Sequence, residues 1–256
     1  MIARRLRDGV THPRLVEPAP TDRVLVLAPH MDDEAIGCGG AVLRHRQAGS
    51  PVAVVYLTDG AQGDARLADP SIGSEQAARL SAALRVRRRQ EAEAWCTATG
   101  IERMHFLDLP DGRLEAHIGG NAVGRLADIF ATWRPNLVYL PSPLDVHADH
   151  RAANRLALAA LRRAGLQSRV LLRGYEVWTP VLANVVMDIS AVANTKAELL
   201  RLHASQLRDI DYARHILALN AYRSLWLPGH EGHAEAFVEL GPGPYAALLA
   251  PISGQA

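Results

Sequence analysis

The sequence predicts an α/β protein in which a mostly parallel sheet carries helices on both faces, giving three α/β/α layers. Short continuous apolar runs such as Val24-Leu25-Val26-Leu27 and Leu137-Val138-Tyr139-Leu140 read as strands covered on both sides. Segments with helical spacing alternate with these runs, as βαβ units require. Glycine and proline mark the junctions, as at Gly49-Ser50-Pro51, Gly100 and Pro135.

The elements follow in order. After the strand at 24–27, Ile36, Gly40, Leu43 and Gln47 lie at helical spacing until Gly49-Ser50-Pro51 stops the helix. Residues 52–57 form the second strand, and a loop rich in Gly, Asp and Ser runs from Thr58 to Gly73. Ser74, with Glu75 and Gln76, opens a long helix that Gly100 closes. A third strand at 104–107 precedes the turn Leu109-Pro110-Asp111-Gly112. A helix at 121–133 ends before Pro135, the fourth strand is 137–140, and an Ala- and Leu-rich helix covers 151–163. Further strands are expected at 170–172, 184–187 and 236–240. Helices are expected at 213–223 and at 195–206, the latter with Lys196, Glu198 and Arg201 outward. The arrangement is Rossmann-like. Residues 1–256 read as one domain behind an irregular leader at 1–21, where Pro13, Pro18 and Pro20 fall.

The bulk properties exclude more than they assign. An apolar fraction of 48% with 21% charged residues is ordinary for a globular protein, and a net charge of +1 gives no field favouring nucleic acid or anionic lipid. No stretch approaches the roughly 20 apolar residues that span a bilayer, so membrane insertion is not expected. Arg4, Arg5 and Arg7 precede no apolar run of the kind a secretory signal needs. Two cysteines, Cys38 and Cys96, offer no disulfide framework, so a cytoplasmic location is expected. A homo-oligomer is left open.

Two turns carry chemistry. Ala28-Pro29-His30-Met31-Asp32-Asp33-Glu34 follows the first strand, and Pro141-Ser142-Pro143-Leu144-Asp145-Val146-His147-Ala148-Asp149-His150 follows the fourth. In open α/β sheets, ligands bind beyond the carboxyl ends of strands where the strand order reverses. If these two strands are neighbours there, His30, Asp32 and Asp33 face His147, Asp149 and His150 across one crevice. A catalytic zinc takes three ligands from His, Asp or Glu and keeps a position for water. His30 and Asp33 can supply two and either histidine of the second turn a third, which leaves Asp32 and the other histidine for a base and an oxyanion donor.

Each feature also has a plainer explanation. Asp32, Asp33 and Glu34 open a helix, where acids answer the macrodipole and cap it. The charge run Arg85 to Glu93 is ordinarily a solvated face with ion pairs at i,i+4. Arg88 either pairs with Glu91 or offers its donor fork to substrate hydroxyls or a phosphate, and Asp59 could bind a sugar hydroxyl from the long loop. Gly37-Cys38-Gly39-Gly40 lacks the spacing of a phosphate loop and fits close packing of helix on sheet. His230 and His233 are at most rim residues, and Trp178 and the loop at 228–233 are candidate pocket walls.

These residues resemble the PIG-L, or LmbE-like, family of zinc-dependent N-acetylglucosaminyl deacetylases. The first turn is similar to the family's [AP]-H-P-D-D-E signature, with Met31 in place of proline, and His147-Ala148-Asp149-His150 to its H-x-D-H motif. Thr58-Asp59-Gly60, Arg88-x-x-Glu91, the stretch 106–112 and His203-Ala204-Ser205-Gln206 add to the likeness by their order. The resemblance implies one Zn2+ per chain bound by His30, Asp33 and His150, with Asp32 as general base. It further implies that His147 is the oxyanion partner and that Asp149 orients it and keeps it cationic. Iron or cobalt can also occupy such sites. The substrate it implies is a small N-acyl amino sugar or glycoconjugate, cleaved to acetate and free amine. Two other functions remain open: removal of a different acyl group from a glycosylated metabolite, and nucleotide binding without catalysis.

Overall fold

Alternate residues of the central strands feed two separate cores, and that alternation builds the layers. In the computed structural model, which describes residues 12–208 and 210–249, the strands are β1 (Arg14–Leu15), β2 (Val24–Ala28), β3 (Val52–Thr58), β4 (Arg103–Leu109), β5 (Leu137–Pro141), β6 (Leu171–Tyr175), β7 (Val185–Asp188) and β8 (Ala234–Leu240). The helices are α1 (Asp33–Gln47), α2 (Ser74–Ala98), α3 (Gly120–Trp133), α4 (Ala148–Arg163), α5 (Ala193–Leu200), α6 (Tyr212–Arg223) and α7 (Pro242–Ala247). Val24, Val26, Val52, Val54 and Tyr139 point into a core closed by α1, α2, α5 and α6. Leu25, Leu27, Ala53, Val55 and Val138 point into the opposite core under α3, α4 and α7. A strand buried on both faces has no polar side to alternate with, which is why these runs are continuously apolar.

The sheet order is β1-β7-β8-β6-β5-β2-β3-β4. β2 pairs in parallel with β3 on one side and β5 on the other. The chain therefore builds outward through β3 and β4 and then returns to the far side of β2, which makes β2 and β5 the switch point. Only β8 runs antiparallel, against β6 and β7. Among the described helices none is long and apolar enough to cross a membrane.

Three details differ from the sequence expectation. Within the segment expected as a leader, Arg14 and Leu15 pair with Val185 and Val186 as an edge strand, and residues 1–11 lie outside the described residues. The helix expected over 195–206 ends at Leu200, because His203 is drawn into the interior against Glu34 and Ser205 donates to Glu91 from both its N–H and its hydroxyl. Lys196, expected outward, is buried.

The reason lies in a break in α1. Cys38 has φ −143° and ψ 20°, which ends the helical ladder there. The N–H of Gly40 and the C=O of Ile36 would be partners in an unbroken helix. Instead Glu235 accepts from the N–H groups of Gly40 and Ala41 at 2.7 Å, and Lys196 Nζ donates to Ile36 O at 2.9 Å. Lys196 and Glu235 are themselves 2.7 Å apart. The glycines make room, as expected for close packing: a Cβ on Gly37 would sit 2.1 Å from the Tyr175 ring, and one on Gly40 2.8 Å from Ile189.

A second buried chain fixes a tautomer. Ser50 Oγ donates to Ala19 O and so accepts from His45 Nδ1, while Tyr139 OH accepts from Arg173 and so donates to His45 Nε2. His45 is neutral, its pKa pushed down to about 3 by burial and by the Arg173 charge. Asp22 Oδ2, 3.5 Å from Nδ1, pulls the other way but is partly exposed and engaged by Ala19 N–H.

Two outcomes follow from these networks. Lys196→Met strands the Glu235 carboxylate and lowers unfolding free energy by about 3–5 kcal/mol in urea titrations; a change below 1 kcal/mol would contradict the account of the helix break. Because the folded pKa of His45 lies below the unfolded value near 6.5, its contribution is complete above pH 6.5 and declines toward pH 3, by roughly 1.4 kcal/mol per pH unit at most. His45→Gln removes that part of the acid sensitivity, read as a flatter plot of stability against pH.

Candidate metal centre and active site

The switch point delivers both turns to one place. Thr58 N–H and Oγ1–H donate to Pro29 O at 2.9 and 2.8 Å, clamping the chain as it leaves β2. His30 N–H then donates to Asp33 Oδ2 at 2.8 Å, and His30 Nδ1 lies 3.0 Å from the same oxygen. From the end of β5, His147 caps α4 and His150 sits in its first turn, with Nε2 3.3 Å from Asp33 Oδ2. One carboxylate oxygen thus stands between imidazoles from two neighbouring strands.

Side chains able to hold a metal ion gather in two groups, His30 with His147 and His150, and His30 with Asp111 and Asp149, the ligand atoms of each group lying within 4.8 Å of one another. Ligand atoms held about 2.0–2.1 Å from one tetrahedral zinc lie about 3.3 Å apart, and the two distances at Asp33 Oδ2 are 3.0 and 3.3 Å. His150 is fully buried, yet neither ring nitrogen has a well-formed hydrogen bond, as suits a nitrogen with its lone pair directed at a metal. The remaining nitrogens face carboxylates: His30 Nε2 lies 3.2 Å from Asp111 and 3.3 Å from Asp149, and His150 Nδ1 lies 3.3 Å from Asp145. Carboxylates behind metal-binding histidines orient the rings and raise their basicity. His147 also brings a ligand atom within 4.8 Å of His30 and His150, so the imidazole cluster is larger than the set the resemblance implies.

The field at this point favours positive charge. Burial pulls His150 down, but Asp33 and Asp145 outweigh it and carry its pKa up to about 9. His30 is likewise raised, burial being overcome by Asp33, Asp111 and Asp149. Asp33 is held well below the usual carboxylate range, as His150 and His30 overcome its burial. A divalent cation answers the same field.

A cavity of about 280 Å³ opens beside these residues. Its lining includes the polar side chains of Asp32, Arg88, Gln62, Asp111 and His147 and also Ile36, Val177, Trp178 and Tyr212. Arg88 is buried and donates to Asp32 Oδ1 at 3.0 Å. The ion pair with Glu91 considered for it does not form; Glu91 instead takes Arg87 and Ser205.

Several expected roles change. Asp149 does not hold His147: its carboxylate accepts from the N–H groups of Gly112 and Leu114 and faces His30. His147 Nδ1 accepts from Asp149 N–H at 3.2 Å, so the ring is neutral with its proton on Nε2. Burial, with His30 and His150 nearby, pushes its pKa down. Asp59 does not line the cavity; it pairs with Arg85 and accepts from Ala61 N–H. Trp178 forms part of the wall, whereas 228–233 does not. The phosphate-loop alternative loses its space, since Gly37 and Gly40 are packed against Tyr175, Ile189 and Glu235.

Asp111, Asp145, Gln206 and Tyr212 were not assigned from sequence. Asp145 and Asp111 lay in view, two residues before His147 and in the Pro-Asp-Gly turn. Gln206 lay in view at the end of the His203-Ala204-Ser205-Gln206 stretch, whereas Tyr212 has no local signal and reaches the cavity through the packing of α6.

Comparison with known proteins gives the family and the fold. Over 201 residues the chain is 28% identical to diacetylchitobiose deacetylase of Thermococcus kodakarensis, spanning 73% of this chain and 71% of that one. Over 203 residues it is 30% identical to a Bacillus subtilis protein named probable N-acetyl-alpha-D-glucosaminyl L-malate deacetylase 2, spanning 74% and 87%. The solved N,N'-diacetylchitobiose deacetylase from Pyrococcus horikoshii shares the fold, with a TM-score of 0.72 at 22% identity over 90% of this chain and 87% of that one. Residues 25–161, more than half the chain and both of the turns described above, match the family described as PIG-L, GlcNAc-PI de-N-acetylase, and the chain belongs to that family.

Proposed function

We propose that this protein is a zinc-dependent N-deacetylase that hydrolyses the acetamide of an N-acetylglucosaminyl-type amino sugar to acetate and the free amine. The observation that carries this is Asp33 Oδ2 set between His30 Nδ1 and His150 Nε2, at the edge of a cavity that also holds Asp32 and His147. The substrate class rests on relatives named as deacetylases of N-acetylated sugars. Two unpaired, buried cysteines fit a reducing cytoplasm.

In this proposal His30, Asp33 and His150 hold the zinc. When bound, it supplies a Lewis acid that lowers the pKa of water and polarises the acyl oxygen. Arg88 fixes Oδ1 of Asp32, leaving the carboxylate oriented to take the proton of the attacking water. His147 donates its Nε2 proton in a hydrogen bond to the oxyanion of the addition intermediate, a role that a neutral imidazole fills. Asp32 then returns the proton to the departing nitrogen as the C–N bond breaks. Asp111 and Asp149 steady His30, and Asp145 steadies His150. Arg88 acts first on the base and only secondarily on a substrate hydroxyl, and Asp59 is given no substrate contact.

The assignments separate by experiment. Asp32→Asn retains zinc by atomic emission but loses roughly 10²–10⁴-fold in amine release from N-acetylglucosaminides, whereas His150→Ala loses the metal itself. Near-normal hydrolysis by Asp32→Asn would remove the base assignment. Chelation abolishes activity, and added zinc restores it. Asp145→Asn weakens zinc affinity by roughly 10–100-fold in competition with a chromophoric chelator; unchanged affinity would show that Asp145 serves only the turn.

A further inference from the structure

We propose that Arg223 and Glu176, neither of which lines the cavity, are positioning residues for the metal centre. They close the loop between β6 and β7 so that its Trp178 N–H holds Asp145 against His150, which couples zinc binding to loop closure. This rests on the zinc reading of the site given above. Residues 176–184 join β6 to β7 with no helix or strand of their own, and such connections ordinarily run solvated over a surface. This one is built around a buried ion pair. Glu176 and Arg223 are 3% and 7% exposed. Arg223 engages both carboxylate oxygens of Glu176, through Nη2 and, at 3.3 Å, through Nε. Together they take both backbone groups of Val181: its N–H donates to Glu176 Oε1 at 2.8 Å, and its C=O accepts from Arg223 Nη2 at 2.9 Å. A buried ion pair adds little net stability over an apolar pair, but a guanidinium fork meets a carboxylate in few geometries, so it defines one loop shape.

The closed loop reaches the metal site through the neighbouring turn. Trp178 N–H donates to Asp145 Oδ2 at 3.1 Å, and Thr179 Oγ1 accepts from Val146 N–H at 3.1 Å. Two successive loop residues thus hold two successive residues of the turn after β5. The other oxygen, Asp145 Oδ1, accepts from His147 N–H at 2.9 Å and faces His150 Nδ1 at 3.3 Å. Helix α6 braces the loop from both of its ends, with Arg223 as its last residue and Tyr212 as its first, where the Tyr212 ring stands edge-on to Trp178 at 6.0 Å between centroids. Coupling between two sites is reciprocal. Asp145 held in place strengthens zinc binding through His150, and bound zinc in turn steadies Asp145 and with it Trp178.

The test reads the metal and the loop separately. Zinc affinity is measured by competition with a chromophoric chelator, and the exposure of Trp178 by acrylamide quenching, taken as the difference from Trp178→Phe, with and without zinc. Arg223→Lys, which keeps the charge and loses the fork, weakens zinc binding by about ten-fold. Combined with Asp145→Asn, it weakens binding no further than Asp145→Asn alone. With Arg223 unchanged, Trp178 is quenched more steeply without zinc than with it, and Asp145→Asn removes that difference; this arm remains decisive even where Arg223→Lys does not fold. Trp178 quenching that ignores zinc overturns the coupling. So does an Arg223→Lys protein that loses thermal stability but keeps wild-type zinc affinity, which is what a purely structural ion pair gives. Additive losses in the double variant overturn the route through Asp145. A protein that takes up no zinc fails the metal reading and the coupling together, whereas full coupling with no amine release from N-acetylglucosaminides fails the deacetylase reading and leaves the coupling standing.

Discussion

Everything at the site depends on one carboxylate oxygen, Asp33 Oδ2, touching imidazoles that arrive from two different strands. That contact exists only because β2 and β5 are neighbours in the sheet although their first members, Val24 and Leu137, paired in register, lie 113 positions apart in the chain. In a sheet laid down in sequence order, β5 would sit beyond β4, and the two turns would never meet. The reversal of strand order is thus a chemical requirement as much as a topological one. It gathers five carboxylates and three imidazoles into a space where each charge would be costly to bury alone and is tolerable among the others.

The same economy of position governs the layers behind the site. Glu34, adjacent to Asp33, turns away from the cavity and accepts from Tyr56 OH at 3.0 Å, with His203 Nε2 at 3.1 Å. It ties the start of α1 to β3 and to the segment after α5, so the first turn of the helix is held from two sides. The break at Cys38 then frees the rest of α1 to follow the sheet, while Lys196 and Glu235 satisfy the separated backbone groups. An unbroken helix would demand one direction for both jobs. Breaking it lets the first turn answer to the metal site and the remainder to the core.

Much of this was legible in the sequence because the strong signals were local. Apolar runs, stop residues and the two motif turns place most elements within a few residues, and the spacing His30 to Asp33 and His147 to His150 names the residues that converge. What escaped depended on long-range contacts. Lys196 sits at a position whose helical phase reads as outward, and only the break in another helix explains its burial. Helix formation past Leu200 fails because His203 and Ser205 gain partners in α1 and α2. Asp149 looked like the partner of His147 by adjacency, but α4 begins there, and its first turn points the carboxylate toward His30 and the 112–114 backbone while the N–H serves His147. A helix start reverses what adjacency implies.

The departure at Met31 shows how a lost local constraint is replaced by packing. Proline at that position would fix φ and stiffen the turn between His30 and Asp32. Methionine fixes nothing by itself, yet Met31 is 1% exposed and its Cε lies where a Cβ on Gly60 would come within 2.8 Å. Its carbonyl accepts from Arg88 at 3.4 Å, a long contact, and the same guanidinium holds Asp32 at 3.0 Å. The turn is therefore pinned by its neighbours on both sides of the substitution, through Thr58 at Pro29 and through Arg88 at Asp32. Rigidity that proline would supply through its own ring is supplied here by burial and by one arginine reaching from α2, which makes the geometry of the base a property of the whole wall of the cavity.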